Sequence, residues 1–506
     1  MSGGLRSDDM AADQYNALES RITDIIHAGN AVSVLHWDQQ VMMPEGGAPA
    51  RGKSVSVIQS IVHDMITDDE TVALLDQLDP GDLAGDQQAV YREAKRMVDR
   101  QARVPSELVE ELAETTANAH PNWKAAKEHD EFDRFEDDLV RIVELKREYA
   151  AAIDPDRDPY AVLVEDYEPY LDIDVIDHNL ETLRDELVPI IDDIRTADTS
   201  LDDAAFRGDF DEETQLELAR DVLDAMGIDW ERSRFDLAPH PFVSGNQFDC
   251  RITSRFDDGD LYEGLSSTIH EGGHALYNLN IPQEHFGTPL GLPRDLVVHE
   301  SQSRLWENRI GRSEPFMRWF LPLAASYFDE LNDVDPATAY EYVNRVDPSN
   351  PIRVNADEVT YHLHIVVRYE LERELIRGEI EVDEIPQVWN DKYETYLGRR
   401  PDSDAEGCLQ DIHWSNGQIG YFPTYSLGSL LAAQLYDAMA DDLGDLPSKI
   451  EAGAFNQICA WQTDAVHSHG QRYRTDELIE RATGEPLSAA YFTEYIREKY
   501  GRLYGF

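Results

Sequence analysis

Positive charge is the scarcest property of this 506-residue chain. Only 44 residues are Lys or Arg, eight of them Lys, against 101 Asp and Glu, so the formal net charge is −57. Such an acidic chain repels polyanions, which argues against nucleic acid and anionic membranes as partners. An acidic surface with little lysine also indicates a halophilic protein, because concentrated salt screens its self-repulsion.

Cysteine and long apolar runs are scarce as well. The three cysteines, Cys250, Cys408 and Cys459, are far apart in the chain, so we interpret them as core residues and predict neither a disulfide framework nor a thiolate metal site. Nowhere do 18 consecutive apolar residues occur, and the first residues lack the apolar region of a signal peptide. We therefore expect a soluble, cytoplasmic protein.

Apolar residues are nevertheless plentiful, at 42% with eight Trp, so the chain should fold. Apolar side chains spaced three and four residues apart predict amphipathic helices, most clearly over residues 132–149, 176–194 and 427–439. Gly227 is a predicted helix end. We expect a mostly all-α fold, one continuous domain over residues 1–506 with two lobes flanking a cleft.

One stretch, residues 234–258, departs from the helical pattern. Pro and Gly interrupt it, and Phe248, Cys250 and Ile252 alternate with polar residues. This pattern predicts a small pair of strands. Because the stretch immediately precedes the most distinctive motif of the chain, we expect the strands to form one wall of a cleft.

That motif is HEGGH at 270–274. The apolar spacing around it predicts a helix, which places His270 and His274 one turn apart on the same side, where both can reach one metal ion. Glu271 lies about 60° round the helix from His274, close enough to act on a water molecule without being a ligand. Gly272 and Gly273 cost the helix roughly 1 kcal/mol each, which suggests that something approaches the backbone closely there.

A third ligand would complete the site. The segment LVVHESQSRLWENR contains His299 and Glu300, and Glu300 follows His274 by 26 residues, enough for a loop and another helix. Two His and one carboxylate leave the fourth tetrahedral position of zinc open. By spacing alone Glu300 is only a candidate, since a solvated surface Glu is the ordinary interpretation in so acidic a chain.

Six motifs in order resemble those of the carboxypeptidase Taq family of zinc metallocarboxypeptidases. They are HPF at 240–242, DCRIT at 249–253, HEGGH at 270–274, HESQ at 299–302, IRVNAD at 352–357 and GCLQDIHW at 407–414. The stretches WDQQVMMPEGGAPAR at 37–51 and ELIERATGEPL at 477–487 also resemble the ends of the family. The likeness therefore spans nearly the whole chain.

The resemblance implies a zincin-like, multi-helix fold with a long narrow cleft, one catalytic Zn2+ per chain and a homodimer. It assigns His270, His274 and Glu300 as the metal ligands and Glu271 as the catalytic carboxylate. Two His and one Glu would also hold cobalt or manganese.

The remaining motifs imply substrate contacts. Arg353 would bind the terminal carboxylate of a peptide through parallel charge-assisted hydrogen bonds, the alternative being a structural ion pair. Arg251 could do the same or brace the fold. His413 and Tyr421 are predicted to bind substrate or to donate to the developing oxyanion, with Tyr425 as the alternative to Tyr421.

Several other polar residues receive lesser roles. We interpret His240, Asp249 and Asp357 as supporting or wall residues, and His467 and His469 as solvated. The predicted function is hydrolysis of the last peptide bond of peptides with a free C-terminus, by metal-activated water with Glu271 as general base. The alternatives are a zinc oligoendopeptidase that cuts internally and a non-catalytic helical scaffold.

Overall fold

The computed structural model describes residues 7–506, which fold mainly into α-helices. The helices before the sheet are α1 Ser7–Val41, α2 Ala48–Thr67, α3 Asp69–Gln77, α4 Asp86–Arg103, α5 Ser106–His129, α6 Asp133–Ile153, α7 Pro159–Val164, α8 Ile173–Thr196 and α9 Glu212–Met226. Those after it are α10 Leu261–Asn280, α11 Leu296–Arg304, α12 Glu314–Ala324, α13 Pro336–Val343, α14 Thr360–Arg377, α15 Ile385–Leu397, α16 Pro423–Leu443, α17 Leu446–Glu451, α18 Phe455–Ala465, α19 Thr475–Thr483 and α20 Ala490–Tyr504. A π-helical segment, Leu305–Gly311, prolongs α11.

The predicted mostly α-helical fold is confirmed. The apolar faces of 132–149, 176–194 and 427–439 are largely buried, on α6, α8 and α16. Gly227 ends α9 with φ 105°, a left-handed conformation that favours glycine.

The buried apolar side chains of the described residues form two clusters. The larger joins α5 to α20 through helices such as α6, α8, α10, α14 and α16. The smaller lies among α1, α2, α3 and α4, and Leu290 from the loop after α10 joins it. One continuous domain with two lobes stays a prediction, and the two clusters are the feature that favours it.

The small sheet has three strands, so the predicted pair was one strand short. β1 Ser233–Leu237, β2 Phe242–Gly245 and β3 Cys250–Ser254 are ordered β1-β3-β2, with β1 parallel and β2 antiparallel to β3. β2 and β3 form a hairpin, which local alternation can indicate. The parallel pairing of β1 depends on its position across the sheet, which spacing along the chain does not show.

The sheet fixes the helix that carries HEGGH. Cys250 and Ile252 of β3 are buried, and the hydroxyl of Thr268 on α10 donates to Ser254 Oγ over 2.9 Å. α10 and β3 are therefore held face to face, and the sheet forms a wall beside the motif as expected.

Arg251 braces this wall. Its guanidinium donates to Asp249 over 2.9 and 2.7 Å and lies 4.2 Å from the ring centroid of Trp37 on α1. Of the two interpretations of Arg251, the geometry favours the structural one, and Asp249 serves the same contact.

Within residues 7–506, no helix combines the length and the apolar character needed to cross a membrane.

Candidate active site

The structure brings the three predicted metal ligands together. His270 and His274 lie on α10, and their Nε2 atoms are 3.7 and 3.4 Å from Oε2 of Glu300 on α11. One ligand atom from each residue lies within 4.8 Å of the others. His299, the other residue offered by the same segment, instead stacks on the ring of His274, with centroids 4.4 Å apart.

The glycines of HEGGH allow close packing, as predicted. A Cβ atom on Gly273 would lie 2.7 Å from the carbonyl oxygen of Gln302, so the backbone of α11 rests directly on α10. A Cβ on Gly272 would lie 2.7 Å from Leu223 Cδ2 of α9. The cost of two glycines in the helix is therefore offset by the close approach that sets the position of Glu300.

A third glycine, Gly428 on α16, shapes the site from the opposite side. A Cβ atom there would lie 2.5 Å from Cγ and 2.7 Å from Cβ of Glu300. Glu300 therefore packs directly against the backbone of α16 at Gly428. Nothing in the spacing of the sequence indicates that Gly428 contacts a ligand, because the contact joins residues 128 positions apart.

We expect Gly428→Ala to displace Glu300 and to weaken metal binding at least tenfold while the protein still folds, because overpacking typically costs about 1–3 kcal/mol. Metal affinity is measured by competition with a chromogenic chelator and folding by circular dichroism. Gly52→Ala, on α2 where the backbone is helical and no atom lies within 4 Å of the added Cβ, is the control for glycine replacement. An unchanged metal affinity in Gly428→Ala would contradict this account.

Glu307 is a functional residue that the sequence reasoning missed. Its carboxylate accepts a hydrogen bond from Nδ1 of His270 over 2.8 Å, which leaves Nε2 free to bind a metal. Ser266 and Arg304 also donate to it, over 3.1 and 3.3 Å. The sequence did contain a pattern that points to Glu307. Glu300, Arg304 and Glu307 are spaced four and three residues apart and so share one helix face.

Charged groups of opposite sign lie next to one another around the metal ligands. Arg304 Nε donates to Oε1 of Glu300 over 2.7 Å. Burial opposes ionisation of Glu300, but the charges of Arg304 and His270 outweigh it and hold the pKa of Glu300 well below its usual range. Burial likewise opposes the charging of His270, yet the carboxylates of Glu300 and Glu307 raise its pKa to about 9. A bound metal cation would take the place of that proton.

This donor set fits a divalent transition metal. Two imidazole nitrogens and one carboxylate oxygen converge, one imidazole is fixed by a carboxylate behind it, and a cavity adjoins the ligand atoms. Glu271 is 7% exposed and faces the same cavity without belonging to the ligand set. Burial raises the pKa of its carboxyl group.

The three ligands line two neighbouring cavities. One, of about 380 Å³, is lined by Glu271, His274, Glu300, Tyr421 and Tyr425. The other, of about 820 Å³, is lined by His270, Arg304, Glu307, Arg353 and Tyr361, among others. Pro241 of the HPF motif, next to β2, lines both cavities, so the two cavities are adjacent at this residue.

Arg353 makes the structural ion pair that the sequence offered as an alternative, and it also lines a cavity. Its Nε and Nη2 donate to Oδ1 of Asp411 over 3.0 and 2.8 Å, and its Nη1 donates to the hydroxyl of Tyr361 over 3.3 Å. Arg368 donates to the other oxygen of Asp411 over 2.6 Å. The guanidinium is thus held firmly on one side while it lines the larger cavity on the other.

The two tyrosines and His413 occupy different positions. Tyr421 and Tyr425 both line the cavity that contains Glu271. His413 is not among the described residues that line this cavity. Its Nε2 lies 3.4 Å from the hydroxyl of Tyr425. Burial lowers the pKa of His413 to about 4, so the imidazole is neutral at physiological pH.

The residues that received lesser roles from the sequence differ in their position and exposure. Asp357 lines the larger cavity and accepts from the backbone N–H groups at the start of α14, whereas His240 is exposed on the loop before β2. The prediction that His467 is solvated was wrong. It is fully buried, its Nε2 lies 3.0 Å from Gln302 Oε1, and its ring stacks on Tyr277 of α10. His469, in the same short turn, is partly exposed.

An HExxH helix, a glutamate from the next helix beside it and an enclosed cleft together define a metallopeptidase. The sequence profile of the carboxypeptidase Taq (M32) metallopeptidases matches residues 17–500. The chain belongs to this family and is therefore a metallocarboxypeptidase, a hydrolase that requires a divalent metal.

Individual relatives agree over almost their whole length. The chain is 34% identical to carboxypeptidase 1 of Bacillus subtilis over 490 residues, 95% of this chain and 96% of the relative. It is 36% identical to thermostable carboxypeptidase 1 of Thermus thermophilus over 483 residues, 93% and 94% of the two chains. The crystal structure of the M32 carboxypeptidase from Deinococcus radiodurans R1 superposes with a TM-score of 0.93 at 33% identity, covering 98% of this chain and all of the other.

Proposed function

We propose that the enzyme holds one zinc ion per chain through His270, His274 and Glu300, and that it removes single amino acids from the free C-terminus of peptides. The observation that carries this proposal is the convergence of three ligand atoms within 4.8 Å, with Glu271 beside them and Arg353 along the same cleft. Cobalt or manganese could replace zinc at this donor set.

When bound, the ion supplies Lewis acidity, which polarises the scissile carbonyl and lowers the pKa of a water molecule. Glu271 then acts as the general base. Its carboxylate accepts a proton from the attacking water and later donates it to the leaving amine.

We assign oxyanion stabilisation to Tyr421 and Tyr425, whose side chains line the cavity with Glu271. Burial raises the pKa of both phenols, so each keeps its proton and can donate it in a hydrogen bond. His413 supports this role indirectly, since it contacts the hydroxyl of Tyr425.

Arg353 is the proposed anchor for the terminal carboxylate of the substrate. The carboxylate would bind on the cavity side of the guanidinium, next to the hydroxyl of Tyr361. Asp411 holds the guanidinium in place, so little conformational entropy is lost when the substrate binds.

Glu307→Gln should weaken metal binding about 10- to 100-fold, because a carboxylate that fixes a ligating imidazole typically contributes that much. The affinity is measured by chelator competition. Glu314→Gln, an exposed glutamate paired only with Arg318 on α12, removes the same charge away from the site and should leave the affinity unchanged. Equal metal affinities in the two variants would show that Glu307 does not support metal binding.

The test of the proposed function is the time course of the products from an unblocked peptide, followed by mass spectrometry with added zinc. A ladder shortened one residue at a time from the C-terminus, and abolished by a chelator, is the expected result. Internal fragments would show an oligoendopeptidase, and a folded, metal-loaded protein that cleaves nothing would show a scaffold.

We also propose a homodimer that works in the salt-rich cytoplasm of a halophile. The family resemblance supports the dimer, and Val57 and Ile61 on α2, 60% and 50% exposed, offer an uncharged contact face. The net charge of −57 supports the salt requirement. Light scattering after size exclusion in molar KCl, and circular dichroism as KCl is removed, test the two statements. A monomer, or a fold unaffected by low salt, would contradict them.

A further inference from the structure

The cleft continues beyond the metal ligands on the side away from Arg353. A cavity of about 430 Å³ shares Leu296 and His299 with the cavity that contains Glu271, and Arg96 of α4 lines it. If the terminal carboxylate lies at Arg353, as proposed above, the part of the peptide upstream of the scissile bond runs into this cavity. We call it the upstream cavity.

The acidic side chains that line the upstream cavity are all neutralised by neighbouring arginines. Glu93 pairs with Arg294 over 2.9 Å and with Arg92 over 2.8 Å. Asp295 pairs with Arg294 over 2.7 Å. The remaining acid, Asp166, pairs with Arg100 over 2.5 Å. None of these carboxylates is left to repel an anionic substrate at contact distance.

Arg96 differs from these arginines because no carboxylate of the described residues pairs with it. Its Nη2 donates to the backbone carbonyl of Glu165, and its guanidinium carbon lies 6.0 Å from the ring centroid of Tyr170. These contacts fix the side chain, while Nε and Nη1 have no partner in the described part of the chain. Arg96 is therefore a positioned cation with free donors in the wall of the cleft.

The surroundings of Tyr170 make this region unusual for the protein. Three more guanidinium groups, those of Arg92, Arg294 and Arg474, lie 5.6, 5.0 and 5.2 Å from the same ring. In a chain with 101 acidic and 44 basic residues, such a cluster is the opposite of the average surface. Arg92 and Arg294 are paired with Glu93 and Asp295, whereas no carboxylate of the described residues pairs with Arg474 or Arg96. The net charge of the protein repels acidic peptides, and these two guanidinium groups oppose that repulsion in the upstream part of the cleft.

We propose that Arg96 forms a subsite for an acidic side chain, Asp or Glu, of the substrate upstream of the scissile bond. The free donors match a carboxylate, which binds a guanidinium through charge-assisted hydrogen bonds. Because the two charges are in contact, salt weakens this pair less than it weakens the long-range field.

The test compares peptides that share one C-terminal sequence and differ by a single Glu or Gln at successive upstream positions. Affinity is measured by fluorescence anisotropy on the zinc-loaded Glu271→Gln variant, so that binding is read without turnover. At one position the Glu peptide should bind about five- to tenfold more tightly than its Gln partner. Adding Arg96→Gln should abolish that difference and leave the affinity for the Gln peptide unchanged.

Arg157→Gln is the matched control. It removes the same charge from an exposed arginine that pairs with Glu165, outside the residues lining the cavity, and should keep the preference. Equal affinities for Glu and Gln peptides at every position, or an equal loss for both on Arg96→Gln, would overturn the subsite. A failure of the proposed function is distinguishable, because it would appear as the absence of single released amino acids from the Gln peptide with the wild-type enzyme.

Discussion

Glu271→Gln is expected to bind zinc as the wild type does while kcat falls by about 10³-fold. The reason is that Glu271 faces the cavity beside His274 without contributing a ligand atom, and loss of a general base typically costs 10²- to 10⁴-fold. The measurement is kcat on an unblocked peptide together with the zinc content of the purified protein.

Glu314→Gln, the control for Glu307→Gln, also serves as the control for Glu271→Gln. Glu314 pairs with Arg318 on α12 and is not among the residues that line the two cavities beside the ligands, so its replacement removes one charge away from the site. Its turnover should equal that of the wild type. Full turnover in Glu271→Gln would refute the base assignment, whereas loss of zinc from that variant would make Glu271 part of the metal site.

Arg353→Ala should lower kcat/KM on peptides with a free C-terminus by about 10²-fold, mostly through KM. Hydrogen bonds to a charged group contribute about 1.5–3 kcal/mol each, and a bidentate contact with the terminal carboxylate would be lost. The same peptides with an amidated C-terminus should be cleaved slowly and at equal rates by wild type and variant, since an amide offers the guanidinium no charge.

The amidated peptides separate an anchor from a structural ion pair. Arg353 is 6% exposed and pairs with Asp411, so its removal could also disturb the fold. Asp411 keeps Arg368 as a partner, which limits that disturbance. Arg318→Ala, at an exposed pair on α12, is the control for loss of an arginine. Equal losses on free and amidated peptides would assign Arg353 to the structure alone.

The sequence predicted those parts of the site that depend on local spacing. The relative positions of His270, Glu271 and His274 follow from the turn of one helix, and the cost of glycine predicted a close approach at Gly273, although not that α11 makes it. Glu307 could have been found by the same reasoning, since it lies on one helix face with Glu300. Assigning Glu300 required the family resemblance, because an acidic residue in this chain carries little information by itself.

Contacts between distant segments could not be predicted. Gly428 touches Glu300 only because α16 crosses α11, and Asp411 meets Arg353 only because the loop before α16 folds back on the cleft. The burial of His467 could not be predicted for the same reason. The sequence HSH in a polar turn indicates that His467 is exposed to solvent. In the structure its ring instead stacks on Tyr277.

The smaller apolar cluster, among α1 to α4, forms part of the wall of the upstream cavity. The wall that holds the metal ligands belongs to the larger cluster, whereas Ile22, Ile26 and Ala94, which line the upstream cavity, belong to or pack on the smaller one. Local opening costs least where few apolar contacts are lost. We therefore expect the upstream wall to open at a lower free-energy cost than the wall that holds the ligand atoms, so that peptides of different bulk can enter while the spacing of the ligand atoms is kept.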